Sequence, residues 1–134
     1  MVMVNSATAV LRVTDVSRTI NWYQEMLGFT ADPFPARQPH EFAILEHGAT
    51  RIMVRRATVS GRQPELKGWD VYIGLSGGHL REIYADLRQR AEVTRPLERM
   101  PYGDTEFDVR DPDGYLLCLS ELLPEAADIP LATA

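Results

Sequence analysis

The side chains able to do chemistry are scattered, and no recognised catalytic spacing joins them. His40 precedes a short apolar run, His47 sits between two such runs, and His79 opens a helical segment. Exposure or helix capping accounts for each histidine better than metal ligation does. Cys118 has no second cysteine in the chain, which excludes an intrachain disulfide and a paired-thiolate metal site. Ser76-Gly77-Gly78 is too short to cradle a phosphate, and no Ser-His-Asp set stands out. What remains is a set of charged residues in strand-like segments. Glu106 and Asp108 alternate with Phe107 and Val109, while Arg12, Arg51 and Arg55 interrupt apolar runs. On a strand, such alternation sends charges to one face and apolar groups to the other.

The elements that must position these residues follow from periodicity. Residues 7–13, ATAVLRV, read as a strand running into Thr14-Asp15, a helix-capping pair. Val16, Ile20, Trp22, Tyr23 and Leu27 then recur at a helical period, and Gly28 marks the stop. A proline-punctuated connection, DPFPARQP, leads to a hairpin of residues 41–45 and 50–55. The polar stretch 58–68 reads as a linker. The order then repeats: a strand over 71–76, a helix over 79–92, and a hairpin of 105–110 and 115–121 closed by Asp111-Pro112-Asp113-Gly114. A strand-helix-strand-strand plan thus occurs twice, with Arg51-Ile52-Met53-Val54 falling on Leu116-Leu117-Cys118-Leu119. The Ala/Pro-rich tail, 123–134, is expected to be loosely ordered or to pack across a partner subunit.

Composition narrows the role. A chain of 134 residues with 45% hydrophobic residues suits one packed domain, here module 1 over about 7–57, the linker, module 2 over about 69–122, and the tail. A net charge of −5 argues against a nucleic-acid surface. No apolar run is long enough to span a membrane, no signal-like segment opens the chain, and a cytoplasmic location is the expectation. The expected partners are a small molecule and a second copy of the chain.

Two segments carry a resemblance. LRVTDVSRTINWYQEMLGF near the start and YGDTEFDVRDPDGYLLCLSE near the end resemble the opening and closing motifs of the vicinal oxygen chelate superfamily. That superfamily holds glyoxalase I, extradiol dioxygenases, fosfomycin resistance enzymes and bleomycin resistance proteins. The resemblance implies an α+β fold of two βαβββ modules, forming a curved, incompletely closed mixed sheet with helices outside and ligand in the hollow. In metal-dependent relatives His, Gln or Glu on the first and last strands of the modules hold the metal. The matching positions here are Thr8, Met53, Tyr72 and Cys118. A hydroxyl, a thioether and a neutral phenol are poor donors for such an ion. The chain therefore resembles the metal-free, bleomycin-resistance-like members, with no metal and no cofactor expected.

Alternation from those positions outlines the hollow. Thr8 brings Val10 and Arg12 inward; Met53 brings Arg51 and Arg55; Tyr72 brings Asp70 and Gly74; Cys118 brings Leu116 and Ser120. The candidate ligand-binding set is Thr8, Arg12, Met53, Arg55, Asp70, Tyr72, Tyr102, Glu106, Asp108 and Cys118, with Trp69, Phe34 and Phe42 as further flat surfaces. A matching arginine in glyoxalase I holds a substrate carboxylate, which gives Arg12 an anion-binding reading. Equally, Asp70, Glu106 and Asp108 could balance Arg12, Arg51 and Arg55 in ion pairs. The leading expectation is a metal-free protein that sequesters an antibiotic or metabolite, as a homodimer. The alternatives are a glyoxalase-like lyase or isomerase, with Glu106 or Asp108 as base, and a structural dimer whose hollow is collapsed.

Overall fold

A computed structural model describes residues 1–65 and 67–133. Leu66 of the polar stretch and Ala134 of the tail lie outside the described residues. The chain divides into two compact units, Met1–Pro64 and Glu65–Ala134. Both are α+β, and both follow the order βαβββ.

The first unit runs β1 (Ala9–Val13), α1 (Val16–Leu27), β2 (Thr30–Phe34), β3 (Phe42–His47) and β4 (Thr50–Arg56). Its sheet has the order β1-β4-β3-β2, with β1 parallel to β4 and the other neighbours antiparallel. Helix α1 starts where Asp15 accepts the Arg18 amide at 3.1 Å. It ends where Gly28, at φ 71°, takes the left-handed turn that side chains other than glycine's resist. The apolar stripe between these signals buries Val16, Ile20 and Tyr23 against Leu11, Val13, Ala43, Leu45, Ile52 and Val54 of the sheet. Alternate residues of β1 and β4, namely Val10, Arg12, Arg51, Met53 and Arg55, therefore share the opposite face.

The second unit runs β5 (Val71–Gly74), α2 (Leu80–Arg90), β6 (Glu92–Arg99), β7 (Thr105–Arg110) and β8 (Leu116–Glu121). Its sheet repeats the topology as β5-β8-β7-β6. Leu80 and Leu87 of α2 are fully buried, and Tyr84 meets Phe107 edge-on at 5.1 Å between ring centroids. Phe107 and Val109 thus face the helix, which puts Glu106 and Asp108 on the other side. The Asp111–Gly114 turn is held by Asp111 Oδ1, which accepts the amides of Asp113 and Tyr115 at 3.0 Å each.

Three sequence expectations change. The proline-rich connection after α1 begins with the strand β2, and Glu92, placed at the end of a helix, instead opens the eight-residue strand β6. Each contains a proline, Pro33 or Pro96, and each lies at a sheet edge. There a missing amide removes no ladder hydrogen bond, so the residue that reads as a strand breaker is tolerated. The tail is neither loose nor free. Ala126 and Ile129 are buried, Arg81 holds both carboxylate oxygens of Asp128 at 2.7 and 2.9 Å, and Leu131 bridges to Arg99 at the end of β6. It packs on its own unit through three basic and apolar contacts that carry no helical or strand period.

Candidate functional site

The face of the second sheet that points away from α2 carries the densest chemistry among the described residues. Ladder register lines up Tyr72, Cys118, Asp108 and Arg95 as one row across all four strands. The next row is Gly74, Ser120, Glu106 and Glu98. Glycine at 74 leaves nothing within 4 Å of a notional Cβ, so nothing from β5 competes with the Tyr72 phenol as it reaches into that second row.

Arg95 is the hub. Its Nε and Nη2 each donate to an Asp108 oxygen at 2.8 Å, and Nη2 also donates to Glu106 Oε1 at 3.0 Å. Nη1 reaches Glu98 at 3.3 Å. Glu106 is wholly buried and Asp108 nearly so. Two carboxylates out of water need this pairing, because an uncompensated buried charge costs several kcal/mol, roughly 3–5 when its partner is removed. Aromatic donors complete the network. Trp69 Nε1 donates to Asp108 Oδ1 at 3.0 Å, and the Tyr102 hydroxyl donates to Glu106 Oε1 at 2.7 Å. The Tyr72 oxygen lies 2.8 Å from Glu106 Oε2 and 2.8 Å from Ser120 Oγ. With a single proton to give, the phenol donates to the carboxylate and accepts from the serine.

These contacts fix protonation states. Burial raises the Tyr72 pKa to about 12; the Ser120 bond works against this, and the bond and charge of Glu106 add to it. Tyr102 is raised further, by burial of its hydroxyl end and then by Glu106. The Cys118 thiol is pushed well up by burial and then by the charges of Glu106 and Asp108, with Arg95 opposing. Asp108 holds Arg95 protonated. Phenols and thiol are therefore neutral across the physiological range.

The same three aromatic residues are exposed along their rings. Trp69 is 43%, Tyr72 44% and Tyr102 57% exposed, while each polar tip is tied to a buried carboxylate. Trp69 and Tyr72 sit 5.0 Å apart at 57°. Anchored rings present flat apolar area that loses little conformational freedom when a ligand lands on it.

The remaining expected site residues fall elsewhere. Asp70 spends its carboxylate on the Leu116 amide at 2.8 Å, locking the start of β5 to β8. In the first unit Thr8 precedes the first paired residue of β1, and Arg12, Met53 and Arg55 lie on the face away from α1. The expected balancing of Glu106 and Asp108 by Arg12, Arg51 or Arg55 is replaced by Arg95, and Arg51 instead meets Glu46 at 3.1 Å. Arg95 escaped the sequence reading because its strand did. The repeat itself held the missing signal, since a third strand after α1 requires one after α2.

A divalent metal does not suit the donors at the matching positions. Tyr72 and Cys118 hold their protons firmly, Met53 offers a thioether, and Glu106 and Asp108 are saturated by Arg95 and the aromatic donors.

A family model matches residues 5–119, and the chain belongs to the Glyoxalase/Bleomycin resistance protein/Dioxygenase superfamily. No curated protein matches the sequence. Among solved structures, TioX from Micromonospora sp. ML1 is similar at a TM-score of 0.69 and 23% identity, over 89% of this chain and 99% of that one. A glyoxalase/bleomycin resistance protein/dioxygenase from Nocardioides gives 0.67 and 19%, over 93% and 88%. The bleomycin-binding protein of Streptomyces verticillus, complexed with copper(II)-bleomycin, gives 0.63 and 22%, over 93% and 100%. These likenesses concern the fold. Among the described residues no helix is long and apolar enough to cross a membrane.

Proposed function

We propose that this chain is a metal-free binding protein for a small molecule with an aromatic or heterocyclic group, which it sequesters without transforming. The observation that carries the reading is the trio Trp69, Tyr72 and Tyr102, whose rings are open while their polar tips are fixed on Glu106 and Asp108. Sequestration needs affinity and shape, and this face supplies both without a reactive group. Glu106, the residue best placed to act as a base, already accepts from Arg95, Tyr72 and Tyr102, so no observation favours a lyase or isomerase. The bleomycin-binding relative makes an antibiotic a reasonable first ligand. The buried free thiol of Cys118 fits a cytoplasmic setting, and a homodimer is the assembly to look for by light scattering.

The test is a fluorescence titration on a Trp22→Phe variant, so that Trp69 reports alone. Bleomycin and a panel of aromatic antibiotics are the probes. Saturable quenching that Tyr102→Ala weakens is the expected result. Flat titrations across the panel would sink the binding reading. Stoichiometric zinc, nickel, manganese or iron in the purified protein would sink its metal-free part.

A further inference from the structure

The first unit has its own exposed face, and its chemistry is of another kind. Ladder register lines up Arg12, Arg55, Phe42 and Phe34 as one row across β1, β4, β3 and β2. Two features of this row need a reason. First, two arginines occupy directly opposed positions on neighbouring strands, an arrangement that disfavours folding through like-charge repulsion. Second, the arginines that flank Arg55 in the sequence or on the same face are answered. Arg51 pairs with Glu46 at 3.1 Å and Arg56 with Glu41 at 3.0 Å, whereas Arg55 makes no ion pair among the described residues. Arg12 has interactions of its own, so the case rests on Arg55. By register, the carboxylate of Asp32 stands one row and two strands away from Arg55.

Beside this cation lies apolar area rather than polar surface. Phe42 is the cross-strand partner of Arg55, and its ring sits 6.1 Å from that of Phe34, which is 46% exposed. A guanidinium offers a planar fork that matches the two oxygens of a carboxylate, and the rings next to it offer a surface for a flat apolar group. Phosphate would use the fork but leave the rings idle. An aliphatic acid would use them poorly.

We propose that the Arg55-Phe42-Phe34 strip binds a planar aromatic carboxylate, with the acid on Arg55 and the ring over the two phenylalanines. This site is distinct from the aromatic trio of the second unit and does not depend on it.

The probe is 2-naphthoate, titrated into the full 15N-labelled chain and followed by amide shifts, with the neutral isostere 2-naphthalenemethanol and plain acetate run alongside. Saturable shifts confined to β1, β3, β4 and the end of β2 are expected, at least tenfold weaker for the alcohol and for acetate. Arg55→Gln should weaken naphthoate by about tenfold or more, as expected for loss of a charge-assisted pair, and leave the alcohol unchanged. Phe34→Ser should narrow the gap between naphthoate and acetate. Both residues are exposed, so unchanged shifts outside the strip will show that each variant is folded. The proposal is overturned by an absence of saturable shifts, by shifts centred in the second unit, by equal binding of acid and alcohol, or by indifference to Arg55→Gln. Because Trp69 quenching reads the other unit, failure here and failure of the sequestration reading are separate results.

Discussion

The two units repeat one topology but treat charge in opposite ways. In the first, charged groups on the sheet face stay wet: Arg51 and Glu46 pair with nearly half of each side chain exposed. In the second, the equivalent face draws Glu106 and Asp108 out of water around Arg95. The difference follows from what stands on the edge strand. Edge strand β2 contributes Asp32 and Phe34 to its face, whereas β6 contributes a long cation that reaches inward over two carboxylates. A buried network fixes its aromatic neighbours in place, while an open one leaves its arginines available. One scaffold thereby offers a rigid aromatic surface in one unit and an accessible cation in the other.

The sharpest way to break this contrast is to remove the hub. Arg95→Ala leaves two buried carboxylates uncompensated and should cost about 3–5 kcal/mol in urea unfolding. Adding Glu106→Gln and Asp108→Asn should recover much of that loss. If Arg95→Ala alone costs under about 1 kcal/mol, the network is wet after all. Alkaline pH should act on the second unit next. Tyr72 ionises at about 12 against an ordinary 10.0, and Cys118 is raised above its ordinary 9.0. Raised folded-state values mean that the stabilisation is complete below about pH 9 and fades as pH climbs through 12. Tyrosinate absorbance should therefore show late-ionising phenols, one of which Tyr72→Phe removes; a titration complete near pH 10 would contradict the geometry.

A smaller difference separates the helices. Asp15 caps α1 through the Arg18 amide, whereas His79 at the head of α2 makes no side-chain cap bond. Asp15→Ala should cost about 1 kcal/mol and His79→Ala under roughly 0.5, with His79→Asp stabilising. Equal losses from the two alanine variants would show that the caps do not differ. The smallest effect belongs to the exposed pair, where Arg51→Ala should cost only about 0.2–1 kcal/mol and lose that cost in high salt.

Much of the fold was written locally. The Asp15 cap, the Gly28 stop, the Asp111–Gly114 turn and the alternation of Phe107 and Val109 with Glu106 and Asp108 are each governed by a few neighbouring residues, and each is found as the sequence implies. The β2 and β6 strands were hidden because Pro33 and Pro96 are acceptable only at an edge, and edge position is a property of the whole sheet. The tail was hidden because Arg81 and Arg99, which hold it, are distant in sequence.

The candidate site divides along the same line. Sequence by itself determined which side chains share a face, since a strand has period two, and so named Tyr72, Glu106, Asp108 and Cys118 together. It also determined that the four positions matching metal ligands in relatives carry poor donors. Which cation answers the buried carboxylates was decided only in three dimensions, because it depends on the strand that lies beside β7. That strand brings Arg95, thirteen residues from Asp108 along the chain, within 2.8 Å of it.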